Sequence, residues 1–120
     1  MSCKDSDLVS VLSEAEIICN ATSCGMVPNS KSSPLSDEIL KKVTLSSHLS
    51  EKLFFDTIFN PYESRFLKKA KKLGADIQGG TEMMIYQGVK AFKLWTGKEV
   101  GMDSVRKAKL VLKKQLLQQK

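Results

Sequence analysis

The chain reads as an α/β domain, the second half of a doubly wound parallel sheet with about three strands and flanking helices. Three observations predict it. Strand-like and helix-like segments alternate along the 120 residues, the order that builds parallel strands joined by right-handed crossover helices. Residues 53–59 are dense in Phe and Ile and are stopped by Asn60-Pro61, since proline donates nothing to a ladder. No Gly-x-Gly-x-x-Gly turn follows the first strand-like segment, as it would in the first half of a dinucleotide-binding sheet.

Taken in order, residues 5–13 open with Asp and Ser and carry Leu8, Val9, Val11 and Leu12, a short helix. Residues 16–20 read as a short buried strand ending at Asn20. Residues 22–26 form a loop, and 27–36, rich in Pro, Asn, Ser and Lys, continue it over the surface. A short helix is expected at 37–40, and residues 44–50 are again polar. After the strand at 53–59, residues 63–73 turn helical, with Phe66, Leu67, Ala70 and Leu73 on one face. Their lysines cluster at the carboxy end, where they favour the helix dipole. Gly74 suits the position just past that helix.

A third strand is expected at 75–79, then a Gly79-Gly80 turn with Thr81 capping the next helix. That helix, 82–96, is apolar on most sides, which predicts burial between other elements. Gly97 ends it. A last helix starts near Asp103 with Val105, Ala108, Leu112 and Leu116 on one stripe.

Composition narrows the function classes. Apolar residues at 42% and charged residues at 27% suit one small globular domain. No run of about 18 apolar residues and no signal-peptide pattern is present, so no membrane partner is expected and the expected compartment is the cytoplasm. Cys3, Cys19 and Cys24 form no Cys-x-x-Cys pair or ligand set with His48, the single histidine. They read as buried or semi-exposed thiols, and no metal is expected. The net charge of +6 sits mostly at the end: residues 98–120 carry 7 basic and 2 acidic groups. No aromatic residue interleaves with the lysines after Trp95, which argues for a solvated helix face and against a nucleic-acid partner.

Five motifs then fall in order. Asn20-Ala21-Thr22-Ser23-Cys24-Gly25-Met26 resembles the Asn-Ala-Thr-x-x-Gly-Met loop of shikimate dehydrogenases. Phe55-Asp56-Thr57-Ile58-Phe59-Asn60-Pro61 resembles their Tyr-Asp-x-x-Tyr-x-Pro strand end, and Glu63-Ser64-Arg65-Phe66-Leu67 the start of the next helix. Gly80-Thr81-Glu82-Met83-Met84-Ile85-Tyr86-Gln87 is similar to the family's Gly-x-x-Met-Leu-x-x-Gln, and Phe92-Lys93-Leu94-Trp95-Thr96-Gly97 to its Phe-x-x-Trp-x-Gly ending. The resemblance spans residues 7–97.

The resemblance implies an NADP-dependent oxidoreductase that reversibly reduces 3-dehydroshikimate to shikimate, on the way to aromatic amino acids. It makes residues 1–80 a partial dinucleotide-binding domain, and 81–120 a carboxy-terminal helical segment packing back on the substrate side. It assigns Gln87 to the substrate hydroxyls, a task for which an amide suits because it donates and accepts. Phe59 stands where a tyrosine commonly meets the substrate carboxylate, so that hydroxyl contact is lost. Around the cofactor it places Asn20, Thr22, Ser23, Thr57, Gly80 and Met83.

Three of these keep a second reading. Asn20 equally fits a role in fixing its own loop, Gly80 a plain turn glycine, and Met83 a core methionine.

No catalytic residue is expected within these residues. The family's Lys–Asp pair belongs to an amino-terminal substrate domain, and its Gly-rich turn to the first half of the dinucleotide domain. The chain alone is expected to be inactive, with an amino-terminal half as partner and an open sheet edge prone to self-association. Two alternatives stand beside this reading: a non-catalytic module that completes a separate amino-terminal half, and a parent enzyme acting on quinate.

Overall fold

The computed structural model describes residues 4–119; Cys3 lies outside them. Five α-helices and three strands follow one another as α1 (Asp5–Glu14), β1 (Ile17–Asn20), α2 (Asp37–Ser46), β2 (Leu53–Asp56), α3 (Arg65–Lys72), β3 (Asp76–Gln78), α4 (Thr81–Thr96) and α5 (Met102–Gln118). A single 3-10 turn, Leu49–Glu51, precedes β2. The sheet order is β1-β2-β3 and both pairings are parallel. The expected fold class therefore holds.

Register decides what is buried. Ile18 pairs with Phe54 and Phe54 with Ile77, while Asn20 pairs with Asp56 two residues on. Because strand side chains alternate, these five share one face. Ile18, Asn20, Phe54 and Asp56 are buried there, and Ile77 is half-buried. The core on this face adds Leu12, Leu40, Val43, Phe66, Leu67 and Ala70 from three helices. Phe54 and Phe66 stack at 5.3 Å between ring centroids with a 50° tilt. Each large side chain buried this completely contributes about 1.5–3 kcal/mol.

The opposite row is barely covered. Ile17 is 64% exposed, Cys19, Asp76 and Gln78 are exposed, and Leu53 and Phe55 are half-buried. The strand at β1 is thus buried on one face only, and Cys19 stands on the open one.

Local chemistry fixes the helix ends. Ser36 and Ser64 each accept an amide hydrogen bond three residues ahead, from Ile39 and Leu67, and so cap α2 and α3. Such caps contribute about 1 kcal/mol each. Gly74 and Gly97 follow α3 and α4 with φ of +94° and +69°, the left-handed turn that favours glycine. Lys52, 6% exposed, donates from Nζ to the carbonyls of Ser13 at 2.8 Å and Ala15 at 2.6 Å, a cation at the negative end of α1. Lys69 ties α3 to α2 through Asp37 at 2.6 Å, and that ammonium holds the Asp37 carboxyl below its usual range.

Three expectations change. The strand expected at 53–59 ends at Asp56, because the chain leaves the ladder when Ile58 N–H bonds back to Asp56 Oδ1 at 3.0 Å. The helix expected at 37–40 runs on to Ser46. Thr81 is the first residue inside α4 and makes no cap; Gly80 takes the cap position.

Helix α4 also departs from expectation. Among its residues only Thr81 is buried, while Leu94 and Trp95 are 84% and 85% exposed. It packs against α5, with Lys109 of α5 donating to Glu82 at 2.9 Å and to the Tyr86 hydroxyl at 3.3 Å. Among the described residues no helix is long and apolar enough to cross a membrane.

Candidate nicotinamide and substrate wall

The carboxyl ends of β1 and β2 are locked together by a buried polar network. Asn20, 3% exposed, donates from Nδ2 to the Cys24 carbonyl at 3.1 Å and to Asp56 Oδ1 at 3.2 Å. Its Oδ1 accepts from the Thr22 amide at 3.1 Å and the Thr22 hydroxyl at 2.7 Å. The amide side chain is fully engaged, with three bonds in its own loop and one across to β2. Of the two readings open for Asn20, the geometry supports the loop-fixing one: its side chain shapes the turn that presents Thr22 and Ser23, both exposed.

Asp56 is wholly buried with no cation beside it among the described residues. Three donors satisfy its carboxylate: Asn20 Nδ2, the Ile58 amide, and the Ser64 hydroxyl at 2.5 Å on Oδ2. The same Ser64 hydroxyl accepts from the Leu67 amide, so one side chain joins the end of β2 to the start of α3. Neither Asp56 nor Ser64 stands out in the sequence as a site residue. The available signal was an acidic residue closing an apolar strand, since a buried carboxylate needs donors around it.

Thr57 follows directly. Its amide and its hydroxyl both donate to the Asn20 carbonyl at 3.1 Å. Its own carbonyl accepts no hydrogen bond from the described residues. That carbonyl faces Gly80: a Cβ placed on Gly80 would stand 2.1 Å from the Thr57 oxygen and 2.9 Å from the Ile58 carbonyl carbon. Gly80 in turn donates its amide to the Ile58 carbonyl at 3.0 Å. Glycine is required here by the close approach of this chain's own backbone, with φ of −74°, a value open to any residue. The approach brings the end of β2 against the start of α4.

From that junction the candidate face runs along α4. Met83 is 43% exposed, and Gln87 lies one turn further and is exposed; residues four apart share a helix face. Met83 thus lies outside the core that the described residues form. Phe59, 37% exposed, sits in the loop after β2. The structure thus joins Asn20, Thr57 and Gly80 by direct backbone contact and aligns Met83 with Gln87. Among the described residues no group of three His, Cys, Asp or Glu could hold a metal, and His48 is exposed beside the 3-10 turn.

Comparison with known proteins covers this face. Residues 80–108 match the family model described as the Shikimate 5'-dehydrogenase C-terminal domain. The NADP(+) shikimate dehydrogenase of Methanosarcina acetivorans is 39% identical over 106 residues, covering 88% of this chain and 35% of that protein. The solved shikimate dehydrogenase of Thermus thermophilus, in complex with NADP(H) and shikimate, superposes with a TM-score of 0.67 at 30% identity, over 87% of this chain and 36% of that one. A quinate dehydrogenase from Corynebacterium glutamicum in complex with NAD reaches a TM-score of 0.70 at 27% identity, over 92% and 36%. The chain matches the carboxy-terminal part of the shikimate dehydrogenase family and spans about a third of the length of the curated relatives it matches.

Proposed function

We propose that this chain forms the nicotinamide- and substrate-facing wall of an NADP-dependent shikimate dehydrogenase, which interconverts 3-dehydroshikimate and shikimate. The observation that carries this reading is the alignment at the sheet's carboxyl end: a free Thr57 carbonyl against Gly80, then Met83 and Gln87 on one face of α4. Ligands of open α/β sheets bind at such ends.

These residues suit the nicotinamide end of the cofactor, which supplies a hydride when bound. The Thr57 carbonyl is an acceptor still without a donor, as a carboxamide N–H would need. Met83 offers an apolar thioether that excludes water from the reacting face. The exposed Thr22 and Ser23 flank the cofactor on the loop that Asn20 shapes. Gln87 donates to and accepts from substrate hydroxyls, holding the ring while its oxygen changes between ketone and alcohol. Phe59 packs its ring near the substrate carboxylate without a hydroxyl to bond it.

Proton delivery to the ring oxygen falls to the Lys–Asp pair of an amino-terminal substrate domain. The Lys–Asp contact among the described residues, Lys69 with Asp37, joins α3 to α2 and not to α4. The chain by itself therefore turns over no substrate, and works with an amino-terminal portion that covers the exposed face of α4. Two observations leave room for neighbouring readings. The likeness to a quinate dehydrogenase favours quinate as a second substrate. The uncovered apolar residues of α4 would equally serve a non-catalytic module that completes a separate half.

Mixing the purified chain with the amino-terminal portion of the M. acetivorans relative, and following NADPH formation from shikimate and from quinate, tests all of this. The expected result is no rate from the chain alone and a saturable rate on mixing. Gln87→Ala should raise KM about tenfold, the worth of one hydrogen bond to substrate. A rate from the chain alone would overturn the assignment of the catalytic groups elsewhere. A stable complex without any rate would favour the assembly reading.

A further inference from the structure

A groove lies between α2 and α3, and none of its lining residues belongs to α4 or to the edge strand β1. It has a volume of about 520 Å³, within the range of small-molecule sites. Leu40, itself buried, and Leu73, 37% exposed, give it an apolar lining. Five cations line it as well: Lys41 from α2, and Arg65, Lys68, Lys69 and Lys72 from α3. Those of α3 recur at steps of three and four residues, so they share one side of the helix over roughly 10 Å. One carboxylate, Asp37, stands among them.

The cations exceed what that carboxylate engages. Asp37 takes Lys69 at 2.6 Å and Arg65 at 4.0 Å, and Arg65 also donates to the Lys31 carbonyl at 2.9 Å. Lys41, Lys68 and Lys72 make no ion pair among the described residues. The Asp37 carboxyl is held below its usual range by the hydrogen bond from Lys69, and then by the charges of Lys69, Arg65 and Lys41. Cations of both helices therefore act on one point. Composition does not produce this cluster. Residues 1–97 carry 12 basic and 11 acidic groups, so five cations against one carboxylate in a single groove reflect placement. The helix dipole favours Lys69 and Lys72 in the last turn of α3. It opposes Arg65 in the first turn and has no bearing on Lys41 of another helix. Like charges one turn apart also repel, a cost that a bound anion would remove.

We propose that this groove binds the polyphosphate group of a small molecule, held by Lys41, Lys68 and Lys72 in the positive field that Arg65 and Lys69 add. A chain of phosphates presents several anionic centres in a row, as the side of α3 presents cations, whereas a single phosphate or carboxylate meets part of the row. Lysine ammonium groups bind phosphate oxygens as point charges, which suits three flexible side chains. Leu40 and Leu73 offer an apolar surface for whatever body the phosphates are attached to. The lining spans two helices of 10 and 8 residues, a smaller face than the roughly 800 Å² that each partner buries in a stable protein complex. The inference does not rest on the dehydrogenase reading, because no residue of that proposed wall lines the groove.

The test is a titration of the isotopically labelled 120-residue chain at fixed ionic strength, followed by amide resonances. Tripolyphosphate and adenosine triphosphate are the probes, with orthophosphate and a glutamate-rich peptide for comparison. The expected result is a saturable shift confined to residues 37–41 and 65–73, with either probe binding about tenfold tighter than orthophosphate, the gain of one further charge-assisted contact. Tighter binding of tripolyphosphate would identify the bare chain, and binding of the nucleotide as tight or tighter would identify an attached body. Lys68→Gln and Lys72→Gln change exposed positions and should each weaken binding about threefold. Lys71→Gln removes the same charge from a residue that Glu63 holds outside the groove, and should leave binding unchanged. No saturable shift, no preference over orthophosphate, tighter binding of the peptide, or equal weakening by all three variants would overturn the proposal.

Discussion

Gly80→Ala isolates the contact on which the candidate wall depends. Alanine accepts the φ of −74° and ψ of −4° found there, so the substitution introduces no backbone strain. By conformational entropy alone it would stabilise the chain by about 0.5–1 kcal/mol. The new methyl carbon, however, would stand 2.1 Å from the Thr57 oxygen, 2.5 Å from its carbonyl carbon and 2.9 Å from that of Ile58. All three are backbone atoms and none can swing aside. Relief requires the start of α4 to move off the end of β2, which breaks the Gly80 amide bond to the Ile58 carbonyl at 3.0 Å. Overpacking of this kind costs about 1–3 kcal/mol, and the lost hydrogen bond about 1 kcal/mol more. The net loss is about 1–3.5 kcal/mol once the entropic gain is subtracted. Gly88→Ala is the internal control: nothing lies within 4 Å of its Cβ position, and it lies inside α4, so it should stabilise by about 0.5–1 kcal/mol. Urea unfolding followed by far-ultraviolet circular dichroism measures both. Equal midpoints for the two variants, or a more stable Gly80→Ala chain, would refute the claim that backbone contact demands this glycine.

Two further outcomes follow from the same geometry. Asp56→Ala strips the partner from three donors, all of them buried with it, and should cost about 3 kcal/mol or more. Asp56→Asn keeps the acceptor for Asn20 and Ile58 and turns an amide toward the Ser64 hydroxyl, so it should cost about 1 kcal/mol. Urea midpoints would contradict the network if the two variants matched. The outer edge of β1 has no strand neighbour and its open face carries Ile17 at 64% exposure, which makes it a template for pairing. Sedimentation should show concentration-dependent association of the chain, reduced by Ile17→Lys; a monomer at every concentration would dismiss the edge as its cause.

Much of the fold is legible in the sequence because it rests on local rules. Phe66, Leu67 and Ala70 fall on one helical face and are all buried. Gly74 and Gly97 stop their helices with the positive φ that glycine tolerates. The failures share a physical cause, which is side chains bonding to backbone. The polar stretch at 44–50 reads as loop, yet the hydroxyls of Thr44, Ser46 and Ser47 each bond the carbonyl four residues back. They stay compatible with a helix whose other face buries Val43. Residues 57–59 look like strand by composition, but the Asp56 carboxylate captures the Ile58 amide and ends the ladder. The Asn20–Asp56 contact depends on strand register, which no short window of sequence contains. The motif draws attention to Gln87 and Met83, while the packing role of Gly80 required the position of a strand end 23 residues upstream.

Helix α4 carries the remaining argument. Its sequence is apolar almost all round, which predicts cover on most sides, yet α5 is the helix that packs against it. The stripe through Glu82 and Tyr86 meets Lys109 of α5. The stripe through Met83, Gln87, Lys90 and Leu94 is exposed along its length, and Trp95 stands beside it at 85% exposure. All-round apolarity records how many surfaces a helix is adapted to meet, whichever chain or ligand supplies them. Apolar side chains left in water, here on either side of Gln87 and Lys90, invite association, so the composition of α4 is best explained by occupants along that stripe. Under the proposed function its amino-terminal end meets cofactor and substrate at Met83 and Gln87. Its carboxy-terminal end, with Leu94 and Trp95, meets the partner domain that brings the proton donor. The exposed helix and the dehydrogenase reading then have one cause, because the residues that leave α4 uncovered are those that a complete active site would cover.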